Sequence, residues 1–278
     1  MFQVQQFCIT YPEGKFKALT LSYDDGRTED RRLVEIFNRY GLKGTFHLNS
    51  GLFPENLPEG QKEIYGARIP ASEVKQLYAG HEVASHTYTH PTIARCPIDK
   101  VIPEVLEDRR FLENLVGYPV QGLSYPNGSY TEEIKEILPK LEIEYSRVVG
   151  SSHNFSLPKD WYQWQATCHH NQRLLEHGQE FVDLHKSQYL YLMYVWGHSF
   201  EFGRDDNFEL MEKFGQLVGG RKDTWYCTNL EFKRYMDASA RLVFTVDGQQ
   251  VYNPTNLDIW INIDGTVQKI APGQNKLD

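Results

Sequence analysis

The sequence predicts an α/β fold in which strands alternate with helices as a parallel sheet or barrel. Three observations lead there. Runs of strand length recur between longer stretches with helical periodicity. Gly and Asp-Gly stops punctuate them. Polar residues able to do chemistry, Asp24-Asp25, His86, Asn127 and His198, stand just after predicted strands. In a barrel of parallel strands the loops at that end converge on one mouth, where sites are built.

The elements follow in order. Lys17 to Tyr23 (KALTLSY) alternates and stops at Asp24-Asp25-Gly26, a strand ending in a turn. Thr28-Glu29-Asp30 opens a helix with Leu33, Val34, Ile36 and Phe37 apolar, and Gly41 closes it. Gly44 to Leu48 is a second strand. Ala71 to Tyr78 reads as a helix stopped by Gly80, before a strand over His81 to Ala84. Residues 98–116 form a long amphipathic helix, followed by a strand over Gln121 to Tyr125. Glu132 to Leu138 is helical and Tyr145 to Val149 is a strand. Tyr189 to Val195 (YLYLMYV) is an apolar strand ending at Trp196-Gly197-His198, and helices cover Asn207 to Val218 and Thr228 to Arg241. From Leu242 the pattern changes. Short alternating stretches are divided by Asp247-Gly248, Asn253-Pro254 and Asp264-Gly265, hairpin signals that predict three or four strands. The chain is therefore divided into residues 1–241, the α/β domain, and 242–278, a small all-β appendage.

Composition narrows the function classes. The chain has 278 residues, enough for one large domain with an appendage, and its 40% hydrophobic content suits a substantial core. With 29 basic against 37 acidic residues and a net charge of −8, it lacks the excess of Lys and Arg that nucleic acids or anionic membranes attract. The opening MFQVQQFCITYPEGK has neither basic leader nor apolar stretch, and no apolar run approaches the ~20 residues that span a bilayer. Cys8, Cys96, Cys168 and Cys227 form no CxxC pair and read as free thiols in a reducing compartment. The expectation is a cytoplasmic protein with no membrane or nucleic-acid partner. The sequence carries no signal for oligomeric state.

Two local patterns carry chemistry. His86 and His90 are four residues apart, and on a helical turn positions i and i+4 share a face, so both rings could reach one metal. No Glu follows His86, so this is not the HExxH helix. The competing reading is a pair of unrelated surface histidines. Asp24-Asp25-Gly26 places two acids side by side at a strand end. A turn with helix capping would explain one of them. A division of labour explains both: one carboxylate binds a metal while the other takes a proton from the attacking water.

Jointly these segments resemble the polysaccharide deacetylases, carbohydrate esterase family 4 (the nodulation-deacetylase homology domain). Ser22-Tyr23-Asp24-Asp25-Gly26 is similar to the family's (T/S)-(F/Y)-D-D-G, and Gly44-Thr45-Phe46 to its second strand. Gly80-His81-Glu82-Val83 with Ser85-His86-Thr87-Tyr88-Thr89-His90 resembles its G-H-E-(I/V)…H-(S/T)-x-x-H. Ser124 to Gly128 stands where the family has R-x-P-(Y/F)-G, and Trp196-Gly197-His198 where it has L-x-H. The likeness runs from about residue 16 to 240. It implies a distorted (β/α) barrel of about seven parallel strands and a hydrolase that removes an acyl group, N-acetyl first, from a carbohydrate. It implies Asp25, His86 and His90 as ligands of one divalent metal, zinc first, with cobalt, nickel or iron as alternatives. Asp24 would be the general base and His198 the general acid. The oxyanion would be met by the metal and a backbone N–H of the Tyr125–Asn127 turn.

The departures define a divergent branch. Ser124 replaces the family's Arg, so whatever orients Asp24 must come from elsewhere. Asp160-Trp161 and Trp164 are candidates for the carboxylate partner of the acid and for the acyl pocket, with Trp164 the pocket candidate carried forward. His169-His170 read first as loop residues, and Glu201 as a group that could orient another in the site. A small acylated amine, amide or imide is the alternative substrate. A non-catalytic carbohydrate-binding protein on the same scaffold is the third reading.

Overall fold

The computed structural model describes residues 6–57 and 67–277; the first five residues of the segment read for a leader lie outside them. Strand β1 (Phe7–Thr10) precedes the barrel, which begins with β2 (Lys17–Asp24). Helix α1 (Asp30–Tyr40) buries Leu33, Val34, Ile36 and Phe37 and ends at Gly41, whose φ of 66° is the left-handed cap that glycine adopts without a Cβ clash. The alternation continues through β3 (Gly44–Leu48), α2 (Ala71–Leu77), β4 (Glu82–Ser85), α3 (Ile98–Val116), β5 (Gly122–Ser124), α4 (Glu132–Ile137) and β6 (Tyr145–Ser151). Then come β7 (Trp164–Ala166), β8 (Cys168–His169), α5 (Leu174–Val182), β9 (Tyr191–His198), α6 (Ser199–Arg204), α7 (Phe208–Val218), β10 (Thr224–Tyr226) and α8 (Asn229–Ser239).

The main sheet runs β7-β6-β5-β4-β3-β2-β9-β8, and its neighbours pair in parallel. β10 adds to Lys17–Leu19, the stretch of β2 that β3 leaves open. All eight residues of β2 are buried, as expected for a parallel strand covered on both faces. β7 and β8 stand at opposite ends of this order, yet only Thr167 separates them in sequence. Thr167 donates its N–H to Tyr194 O at 2.7 Å, and its Oγ1 accepts the Tyr194 N–H at 3.0 Å. The sheet therefore curls until its ends meet: a distorted barrel, as expected.

Several short elements escaped the sequence reading. Helix α5 carries Gly178 in its interior, a residue that weakens helical propensity by about 1 kcal/mol. The reason is packing: a Cβ there would lie 3.0 Å from a Leu217 methyl and 3.2 Å from the Phe214 ring on α7. The appendage differs from the expected three or four strands. It has five, β11 (Val243–Phe244), β12 (Gln250–Asn253), β13 (Ile259–Ile263), β14 (Thr266–Ile270) and β15 (Gly273–Lys276), in two antiparallel sheets. β1 completes one of them against β13. Val251, Ile259, Ile261 and Ile270 are fully buried in one apolar cluster with Tyr11 and Phe232, so the appendage is fused to the barrel.

One buried acid gives a stability prediction. Asp30, 1% exposed at the start of α1, accepts from Tyr78 Oη at 2.6 Å. Burial pushes its carboxyl up to about 7. The folded state thus binds a proton that the unfolded chain, with an ordinary Asp near 3.9, releases earlier. This group's contribution is complete below that unfolded value and is lost as pH rises through 7. Asp30→Asn is expected to remove that loss, so the variant gains on the wild type as pH rises from about 4 to about 7 in urea unfolding. Parallel stability curves over that range would contradict the assignment.

Candidate active site

The ends of β2, β4, β5 and β9 bring Asp24, Asp25, His86, His90, Ser124 and His198 to one place. Asp25, just past β2, has a φ of 81°, followed by Gly26 at 60°. This sharp turn separates the two acids: Asp24 is 2% exposed inside the barrel mouth, while Asp25 lies closer to its rim. Arg68 donates from Nη1 to the Asp25 carbonyl and holds Nη2 3.7 Å from its carboxylate.

His86 and His90 converge, but not on a helical turn as their spacing suggested. The segment after β4 is a loop in which Thr87 (φ 64°) and His90 (φ 60°) are left-handed. Non-glycine residues there cost of order 1 kcal/mol or more each, and persist only where surroundings impose them. Asn49 Nδ2 donates to His86 O at 2.5 Å and Thr87 O at 2.9 Å. Tyr88 N–H donates to Glu104 O, and the Thr89 N–H and hydroxyl both donate to the Glu104 carboxylate. The loop is thereby pinned to α3, with the His86 and His90 rings 4.8 Å apart.

The ligating atoms of Asp25, His86 and His90 lie within 4.8 Å of one another. The donor chemistry fits a divalent metal. His86 Nδ1 donates to Ser124 O at 2.8 Å, which fixes the tautomer and leaves the Nε2 lone pair for a ligand. Burial lowers the His86 pKa to about 4, so the ring is neutral at physiological pH, as a metal ligand must be.

Asp24 is the most confined group. Arg147 Nη2 pairs with its Oδ2, Ser124 Oγ donates to its Oδ1 at 3.1 Å, and His47 Nδ1 lies 3.5 Å from Oδ1. Burial alone would raise its pKa, but Arg147, with His86 and His47, holds it well below the ordinary carboxylate range. Arg147 is the residue that sequence reasoning missed. It is 1% exposed on β6, directly paired with Ser124 on β5, and it stacks over Trp196 at 4.4 Å. The serine leaves room for a guanidinium arriving from the next strand. An Arg inside the strand-like YSRVV was the available signal, since a buried charge demands a partner.

His198 ends β9 as the strand partner of Asp24. Burial would lower its pKa, but Glu201, Asp24 and Asp25 outweigh that and raise it. The remaining candidates divide. The Tyr125 N–H is spent on Arg147 O at 3.1 Å, its side chain is 1% exposed, and Pro126 has no N–H. Asn127, exposed and left-handed at φ 56°, therefore carries the donor that the turn still offers. Trp164 is not brought to the site: it is 1% exposed and packs edge-on against Tyr145 and close to Tyr194. Asp160 caps Tyr162 N and pairs with Lys135, and Trp161 packs on Trp164, so neither reaches His198. His169 and His170, read first as loop residues, instead border it beside Glu201.

Residues 12–146 match the family described as Polysaccharide deacetylase. A peptidoglycan-N-acetylglucosamine deacetylase of Bacillus cereus is 25% identical over 147 residues, covering 52% of this chain and 61% of that protein. The peptidoglycan-N-acetylmuramic acid deacetylase PdaC of Bacillus subtilis is 20% identical over 124 residues, 43% of this chain and 23% of the relative. The chain thus spans less than two thirds of these curated relatives, and about a quarter of the second. A solved Mycobacterium smegmatis structure of the polysaccharide deacetylase group superposes with a TM-score of 0.60 at 15% identity, covering 84% of this chain and 94% of that one. The curled parallel sheet, the order of the motifs along its strand ends and the match over residues 12–146 together make this chain similar to the polysaccharide deacetylases, carbohydrate esterase family 4.

Proposed function

We propose that the chain is a metal-dependent hydrolase that removes an acyl group, N-acetyl first, from a carbohydrate. One observation carries the reading: Asp25, His86 and His90 converge within 4.8 Å beside a buried ionised Asp24 and a partly exposed His198. These three residues would hold one divalent metal, zinc first. When bound, such an ion polarises the acyl carbonyl and acidifies a water. Asp24, kept ionised by Arg147, accepts the proton of the attacking water. His198, its pKa raised by the surrounding carboxylates, gives a proton to the departing nitrogen. The Asn127 N–H is the backbone donor for the carbonyl oxygen as charge develops on it. Relatives named for N-acetylglucosamine and chitooligosaccharide deacetylation support an N-acetyl sugar over a small acylated amine. Among the described residues no helix is long and apolar enough to cross a membrane.

The test is metal analysis of the purified chain, with acetate release from N-acetylated oligosaccharides and from small acylated amines. One metal per chain and release from the sugars are expected. His86→Ala and His90→Ala should each lose the metal and turnover together. A metal-free wild type, or variants that keep both, would refute the reading. Release from the small amines alone would move the substrate and leave the chemistry standing.

A further inference from the structure

The residues just past β3 meet the His86–His90 loop carbonyl by carbonyl. Leu48 pairs with Ser85 in the last register of β3 and β4, so Asn49 and His86 leave the sheet side by side. Asn49 Nδ2 donates to His86 O at 2.5 Å and to Thr87 O at 2.9 Å, and the Gly51 N–H donates to Tyr88 O at 2.9 Å. Three successive carbonyls of the loop are thus taken by residues 49–51. The approach at Gly51 is close: a Cβ there would fall 2.6 Å from Tyr88 O and 2.9 Å from the Tyr88 ring. Ser50, between them, is locked from α3. Its N–H and Oγ donate to Asp108 Oδ1 at 2.7 Å and 2.6 Å, while Ser85 Oγ donates to Oδ2 of the same buried carboxylate at 2.6 Å. Asp108 therefore ties the ends of β3 and β4 together.

Asn49 also reaches the other arm of the site. Its Oδ1 accepts from Arg68 Nη1 at 3.3 Å, and the same nitrogen donates to the Asp25 carbonyl. The partners dictate how the amide is turned, since two carbonyls need a donor and a guanidinium needs an acceptor. Asn49 is 0% exposed, so water cannot stand in for any of them. We infer that Asn49 is a positioning residue for the candidate metal ligands: it spaces the Asp25 turn against the His86–His90 loop before any ion arrives. Gly51 and Asp108 fix the frame from which it acts. Thr87 and His90 are left-handed and keep that conformation only while their surroundings impose it. With the bridge in place the ligating atoms of Asp25, His86 and His90 already lie within 4.8 Å. Without it, binding must also order the loop, so affinity falls although every ligand is present.

This rests on Asp25, His86 and His90 being the ligands, and the test keeps the two apart. Each protein is stripped with a chelator and titrated with zinc against a chelating dye. Unfolding of the stripped chain and the visible spectrum of the cobalt-loaded chain are recorded beside it. Asn49→Ala should weaken zinc binding roughly 10–100-fold, the range for partners that orient ligands from behind, and alter the cobalt bands. Gly51→Ala keeps Asn49 and pushes on the same loop at Tyr88, so it should weaken zinc about 10-fold, and it decides the matter if Asn49→Ala does not fold. Val218→Ala loosens the buried face of α7, outside these contacts, and lowers the unfolding temperature. It should leave zinc affinity and the cobalt spectrum as in the wild type. Wild-type affinity in Asn49→Ala and Gly51→Ala would overturn the inference, as would an equal loss in Val218→Ala. A wild type that takes up no metal would overturn the ligand set and this inference together.

Discussion

Arg147→Met is expected to destabilise the fold by about 3–5 kcal/mol, the cost of leaving a buried charge without its partner. Asp24 is the charge at stake. With Arg147 gone it keeps Ser124 Oγ and the neutral His47, neither of which replaces a cation. His47 is held neutral because burial drops its pKa to about 3. Met fills much of the same volume and still packs on Trp196, so the loss measures the charge pair. Turnover should also fall, by about 100-fold, because an unheld carboxylate no longer sits where the proton arrives. Arg147→Lys restores a charge but not the fork that bonds Asp24 and Ser22 Oγ together, and should recover only part of the stability. Urea unfolding at neutral pH reads this directly. A loss below about 1 kcal/mol for Arg147→Met would mean that the pair contributes little.

This pair also marks the boundary of what the sequence discloses. The candidate metal ligands were legible because their information is local: an Asp-Asp-Gly at a strand end, and two histidines just after another strand. The elements that deliver them were legible for the same reason, since α1 and α3 carry long periodic faces and β2 and β9 long apolar runs. What failed was non-local or conformational. The His86–His90 spacing suggested a helical turn, whereas two left-handed residues pinned by Asn49 and Glu104 make the loop. Nothing in HTYTH states that strain; its cause lies just past β3 and on α3. Trp164 was drawn toward the site by its residue type, yet the register of β7 beside Arg147 puts it in the core. Arg147 is 23 residues beyond Ser124 in sequence and directly beside it in the sheet. Only pairing between β5 and β6 makes a small residue on one strand and a large cation on the next into a single device.

Asp24→Asn should cut turnover by roughly 10²–10⁴-fold, the range lost with a general acid–base group. Alone, that result is ambiguous, because the variant also leaves Arg147 buried against a neutral amide, and a weakened fold would lower activity too. The double variant Asp24→Asn/Arg147→Met separates the causes. Removing both charges relieves what each single change creates, so its destabilisation should fall short of the sum of the singles by at least ~1 kcal/mol, the sign expected for groups in direct contact. Turnover should not recover with stability, because no group is left to take the water's proton. The neighbours offer no substitute: Asp25 is grouped with His86 and His90 as a candidate metal ligand, and His47, though close to Asp24, is fully buried. Recovery of activity in the stabilised double variant would show that Asp24 serves the fold, and would hand the base role to another residue at the mouth. Stability regained while turnover stays lost leaves Asp24 as the group that accepts the proton, and Arg147 as the reason it is ionised to do so.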